Sequence, residues 1–101
     1  MYVRIARFEG VGDNWDDRIE EVRGRIQSPL PGGMERPPGI KRMMMLVDRE
    51  SNRGANIIIV EDEEALRAAD EMMNKMTPPP GSGGRSSVEM YEVAVDHEPS
   101  Y

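Results

Sequence analysis

The chain has 101 residues, 38% of them hydrophobic and 32% charged, with a formal net charge of −6. That length permits one domain around one modest core, and the acidic balance argues against a nucleic-acid backbone or an anionic membrane as partner. No cysteine is present, which excludes a disulfide framework, a thiol nucleophile and a thiolate metal site.

The alternation of Tyr2, Val3, Arg4, Ile5, Ala6, Arg7 and Phe8 predicts a strand over residues 2–8. Val3 and Ile5 fall on one face, and Tyr2, Ala6 and Phe8 on the other. Charges interrupt this segment, so it is not a signal peptide. The longest apolar run, residues 43–47, is too short to cross a bilayer. A cytoplasmic protein is the resulting expectation. Gly10-Val11-Gly12 breaks the strand, and Asp13 or Asn14 can cap a helix with Asp16 and Asp17 in its first turn. Trp15, Ile19, Val22 and Ile26 then follow at helical spacing and form one apolar stripe. Gly24 weakens this helix by roughly 1 kcal/mol relative to alanine without interrupting the stripe. A phosphate cradle at the glycine turn is disfavoured, because Asp13, Asp16 and Asp17 would repel an anion there.

Residues 28–39 hold four prolines and three glycines and read as a loop. It is long enough to cover a cavity mouth, although a passive surface excursion is the commoner outcome for such a loop. A hairpin follows, with strands over residues 40–49 and 55–61 and Gly54 suited to a left-handed turn position. Asp62 can cap a second helix, with Glu63 and Glu64 in its first turn. Its buried stripe is Leu66, Ala69, Met73 and Met76, widened by Ala65 and Met72. The Thr77 to Gly84 segment, rich in proline and glycine, ends it. Residues 87–95 read as a last strand and residues 96–101 as a polar tail. The order is βαββαβ, a ferredoxin-like α+β domain over residues 1–95: a four-stranded antiparallel sheet with two helices on one face.

The hairpin carries the assembly argument. Residues 43–47 and 57–60 are apolar at consecutive positions, so both faces of these strands need cover. Antiparallel strands with one wet face alternate instead. Two helices cover one face, and the open face is expected to pair with a second copy in a homodimer.

Chemistry is less legible. An RNA-recognition module of this topology needs aromatic residues on its central strands, whereas the third strand here is Ala55-Asn56-Ile57-Ile58-Ile59-Val60. The single histidine, His97, lies in the tail between Asp96 and Glu98, and with no cysteine this leaves no evident zinc or haem ligand set. Nine methionines, Met1 included, are many for this length. They fit core and dimer packing, or an adaptable pocket for a flat apolar ligand. Trp15 on its helix stripe has the same two readings.

Leu46-Val47-Asp48-Arg49-Glu50, the turn to Gly54, and Glu61-Asp62-Glu63-Glu64-Ala65-Leu66-Arg67 stand in characteristic order. Together with Pro38-Gly39-Ile40 and Tyr91-Glu92-Val93, the chain resembles the antibiotic biosynthesis monooxygenase-like family of dimeric α+β barrel proteins. The resemblance implies a dimer with sheets packed face to face. It also implies oxygenation of a small electron-rich aromatic or quinol without metal or flavin, because such a substrate itself reduces dioxygen. Asn56 matches the asparagine of quinone-forming members and would polarise a substrate oxygen; the alternative is a strand-start residue bonded to neighbouring backbone. Arg42 and Tyr91 would assist if they face the cavity, and Trp15, Ile58, Val60 and Met73 would line it. Many active members carry tryptophan where Val60 stands. Haem-degrading members carry a histidine on the second helix, and none occurs there. Two readings follow: a cofactor-independent oxygenase, or a non-catalytic dimer that binds a small ligand or is associated with stress.

Overall fold

The computed structural model describes residues 1–9, 15–27, 37–75 and 84–99. Its elements run β1 (Tyr2–Glu9), α1 (Trp15–Gln27), β2 (Ile40–Asp48), β3 (Arg53–Val60), α2 (Glu63–Lys75) and β4 (Gly84–Glu92). The strands form one sheet in the order β2-β3-β1-β4, and every neighbouring pair is antiparallel. This is the ferredoxin-like α+β fold that the element order implies. The Gly10-Val11-Gly12 turn, both candidate caps of α1, residues 28–36 of the loop, Met76 and residues 77–83 lie outside the described residues.

Register assigns each side chain to a face, because directly paired residues point the same way. Arg4 pairs with Ile58, Ala6 with Asn56 and Phe8 with Gly54, while Met43 and Met45 lie opposite Ile58 and Asn56. This is the helix-covered face. Arg4, Ala6, Phe8, Ile58 and Val60 are all buried there. The opposite face carries Val3 and Ile5 beside Ile59 and Ile57, with Met44 and Leu46 on the neighbouring strand. Tyr91 and Glu89 flank it on β4.

α2 packs on β1 and β3, and α1 on β2. Asp62 caps α2 as the sequence predicts, its Oδ1 accepting a bond from the Ala65 N–H at 2.7 Å. Ala65, Leu66 and Ala69 of this helix join Ile58 and Val60 in the main core cluster. A smaller cluster joins Phe8 and Trp15, with Met45 and Val47 against it. Of the α1 stripe only Trp15 is fully buried; Ile19, Val22 and Ile26 are half-buried.

Three sequence expectations need correction. β2 ends one residue earlier than read, and β3 starts two residues earlier and ends one earlier, because Asp48 pairs with Arg53 and residues 49–52 form the turn. The left-handed residue in that turn is Asn52, with φ 58°, and not Gly54. Asparagine tolerates this region better than other side-chain-bearing residues. Gly54 serves close approach instead: a Cβ there would lie 2.7 Å from the Phe8 ring and 2.8 Å from the Leu46 carbonyl oxygen. The last strand covers Gly84–Glu92 rather than residues 87–95. Its partner among the described residues, β1, starts at Tyr2 opposite Glu92, and beyond that point the Val93 N–H donates to the Met1 carbonyl.

Candidate functional site

Between α1, α2 and the helix-covered face of the sheet lies a cleft of about 90 Å³. Val22 and Ile26 of α1, Met43 and Ile58 of the sheet, and Met72 and Met73 of α2 give it apolar walls. The half-buried state of Val22 and Ile26 follows from this position, since their stripe faces the cleft rather than close-packed core. Asn56 brings an amide to the same space. Strand alternation directs Asn56 to the side of Ile58 and Val60. Its partner across β1 is Ala6, too small to fill the space beside it.

Arg18 and Arg25 are the charged side chains of the lining. Arg18 is the unusual one. Its side chain is 12% exposed and its guanidinium stands 6.0 Å from the Phe8 ring centre. The nearest carboxylate is Glu21, whose Oε2 is 3.8 Å from Arg18 Nη1 and beyond hydrogen-bond reach. Among the described residues, no acceptor meets Arg18 Nε or Nη1, both of them buried. Burial lowers the Arg18 pKa and the Glu21 charge opposes that shift.

Among the residues singled out from sequence, Asn56, Ile58 and Met73 meet at the cleft. Trp15 is 4% exposed and packs against Phe8, with ring centres 5.9 Å apart, in the smaller core cluster. Val60 is fully buried in the cluster beneath α2. Arg42 is exposed and Tyr91 is half-exposed on the opposite face of the sheet. There the Tyr91 hydroxyl donates to Glu89 Oε2 at 3.0 Å and Arg7 Nε donates to Glu89 Oε1 at 3.0 Å. The bonds from Arg7 and then Tyr91 hold the Glu89 carboxyl below the usual range, and the same carboxylate raises Tyr91. Sequence reasoning passed over Arg18. Its spacing of four and seven residues from Val22 and Arg25 puts the three on one helix face, which was the available signal. Among the described residues, no group of three His, Asp or Glu side chains is placed to hold a metal ion. Nor is any helix among them long and apolar enough to cross a membrane.

No protein-family model matches the chain, and no curated protein matches it by sequence. Solved structures do. The haem degrader MhuD from Mycobacterium tuberculosis, with two haems bound in its active site, is 19% identical, with a TM-score of 0.68 over 97% of this chain and 100% of that one. An arginine-substituted MhuD with two manganese protoporphyrin IX molecules per active site is 17% identical, with a TM-score of 0.68 over 98% of this chain and 100% of that one. At these identities the likeness establishes a shared fold.

Proposed function

We propose that the protein is a monooxygenase-like enzyme that oxygenates a small electron-rich aromatic or quinol without a metal or flavin. The observation that carries this reading is Asn56, an amide-bearing residue lining a cleft between both helices and the sheet whose other walls are apolar apart from Arg18 and Arg25. In such a site the Asn56 NH₂ donates to a substrate phenol or carbonyl oxygen and stabilises the electron-rich enolate or phenolate form. The apolar walls exclude water, which strengthens that bond. For an anthrone-type substrate the reaction turns a ring CH₂ into C=O. One atom of dioxygen enters the product, the other leaves as water with the two hydrogens, and the substrate supplies the electrons.

The MhuD structures bind porphyrins in this fold. Here α2, Glu63–Lys75, offers no histidine to haem iron, which favours a smaller metal-free substrate. Arg42 and Tyr91 lie across the sheet from the cleft, so the proposed chemistry rests on Asn56 alone. A second reading, a ligand-binding protein without catalysis, is favoured by Val60: it stands where many active members of the resembled family carry tryptophan, and it is 0% exposed in the core. We further propose a homodimer through the sheet face that the helices leave open.

Oxygen consumption by metal-free protein with anthrones, naphthols and quinols separates the two readings. Uptake above the spontaneous rate, reduced roughly a hundredfold in Asn56→Ala, is the expected result, by analogy with losing one oxyanion donor. Background rates in both proteins would favour binding without catalysis.

A further inference from the structure

We infer that the cleft takes an aromatic carboxylate, and that Arg18 is the group that binds its anionic end. The inference rests on the cleft being the ligand site proposed above. Folding alone does not account for Arg18. A guanidinium with two buried nitrogens lacking acceptors among the described residues is costly. Its position adds to that cost, since Arg18 sits in the first turn of α1, where the helix dipole disfavours a cation. The contact with the Phe8 ring lies at the outer limit of cation–π range. Glu21 is close enough to attract but not to accept a hydrogen bond, and it is itself 40% exposed.

The missing partner is therefore an anionic oxygen that arrives with the ligand. Charge complementarity points the same way. The whole chain carries a net charge of −6, yet the charged side chains lining the cleft are two arginines. Glu21 also stands 4.0 Å from Arg25, so its charge is not given to Arg18 alone. The other walls, including Val22, Ile58 and Met73, are apolar and suit a ring system rather than a sugar or a free inorganic anion. Planar carboxylate and guanidinium form charge-assisted hydrogen bonds, which are about twice as strong as neutral ones.

Calorimetric titration of the full chain with 2-naphthoate and its neutral isostere 2-naphthamide tests this. The carboxylate is expected to bind roughly tenfold or more tightly than the amide, on the scale of one charged hydrogen bond. In Arg18→Met that preference disappears, affinity for the amide is kept, and the melting temperature equals or exceeds that of the wild type because a charge with two buried, unbonded nitrogens has gone. Arg18→Gln gives the same comparison should the methionine variant not fold. Equal affinity for acid and amide in the wild type would overturn the inference while leaving an apolar ligand site in place. So would binding of neither probe, or loss of both probes together with a lowered melting temperature in both variants. Anion-selective binding without oxygen uptake would leave this inference standing and remove the oxygenase reading.

Discussion

Arg4 is a charged residue at the middle of a β-strand, and it is 1% exposed. Alternation along β1 puts it on the same face as Ala6 and Phe8, under α2, so it cannot turn to water. Its Nε donates to Asp70 Oδ1 at 2.9 Å, which ties β1 to α2. Asp70 is 28% exposed and gives up less hydration than Arg4 does. Removing the partner that is nearer water therefore leaves the costly member behind. Asp70→Ala is expected to lower unfolding free energy by about 3 kcal/mol, as for other buried pairs broken on one side. The double variant Arg4→Met/Asp70→Ala should recover most of that loss, because a fully apolar pair leaves no stranded charge. Urea denaturation of the three proteins gives the comparison, and a loss under about 0.5 kcal/mol for Asp70→Ala would show that Arg4 finds another acceptor.

At the scale of elements, the hairpin shows how close approach and turn chemistry divide their demands between two residues. Asn52 takes the left-handed conformation, and Gly54 lets the Phe8 ring come close to β3. Gly54→Ala is expected to destabilise the protein by about 2 kcal/mol, the range of overpacked sites, because both the ring and the Leu46 carbonyl are already within 3 Å of the new Cβ. Asn52→Gly, which keeps the turn and relieves any αL cost, should stay within about 0.5 kcal/mol of wild type. Thermal melts of both variants decide it: a neutral Gly54→Ala would mean that Phe8 moves aside freely. Both residues are visible as turn formers in sequence, but their roles are not, since the Phe8 ring comes from a strand 46 positions away. The same limit governs the rest. Periodicity exposed all six elements and the cap at Asp62, because those are local patterns. It could not reveal Arg4 as buried or Arg18 as half-buried, because charge normally marks the wet face and only tertiary neighbours decide otherwise. Asn56, Ile58 and Met73 were legible as cleft residues through strand and helix phase. The placement of Arg42 and Tyr91 across the sheet depended on register, which composition does not encode.

For the whole molecule, the sheet's uncovered face carries the proposed assembly. Val3, Ile5, Met44, Leu46, Ile57 and Ile59 form a contiguous apolar surface across three strands, assigned by register. Leu46 is 47% exposed and Tyr91 52% exposed, so the protomer's own elements do not cover the margins of this surface. Apolar area of this kind is uncommon on a monomer, and a twofold axis through the sheet would bury it against its own copy. The polar cluster of Arg7, Glu89 and Tyr91 stands at the β4 margin, where a polar rim around an apolar centre is the usual interface pattern. Ile57→Lys inserts a charge at the centre of the patch, opposite Ile5 and Met44; both Ile57 and Met44 also line the cleft, although register directs their side chains to the open face. Light scattering at micromolar concentration is expected to give a dimer for the wild type and a monomer for Ile57→Lys. Calorimetric titration then ties assembly to the cleft. The cleft is built within one protomer, so a monomeric but folded Ile57→Lys should still bind 2-naphthoate, more weakly only to the extent that the sheet loosens. A wild type that scatters as a monomer would sink the face-to-face arrangement and leave the apolar surface in need of a different partner.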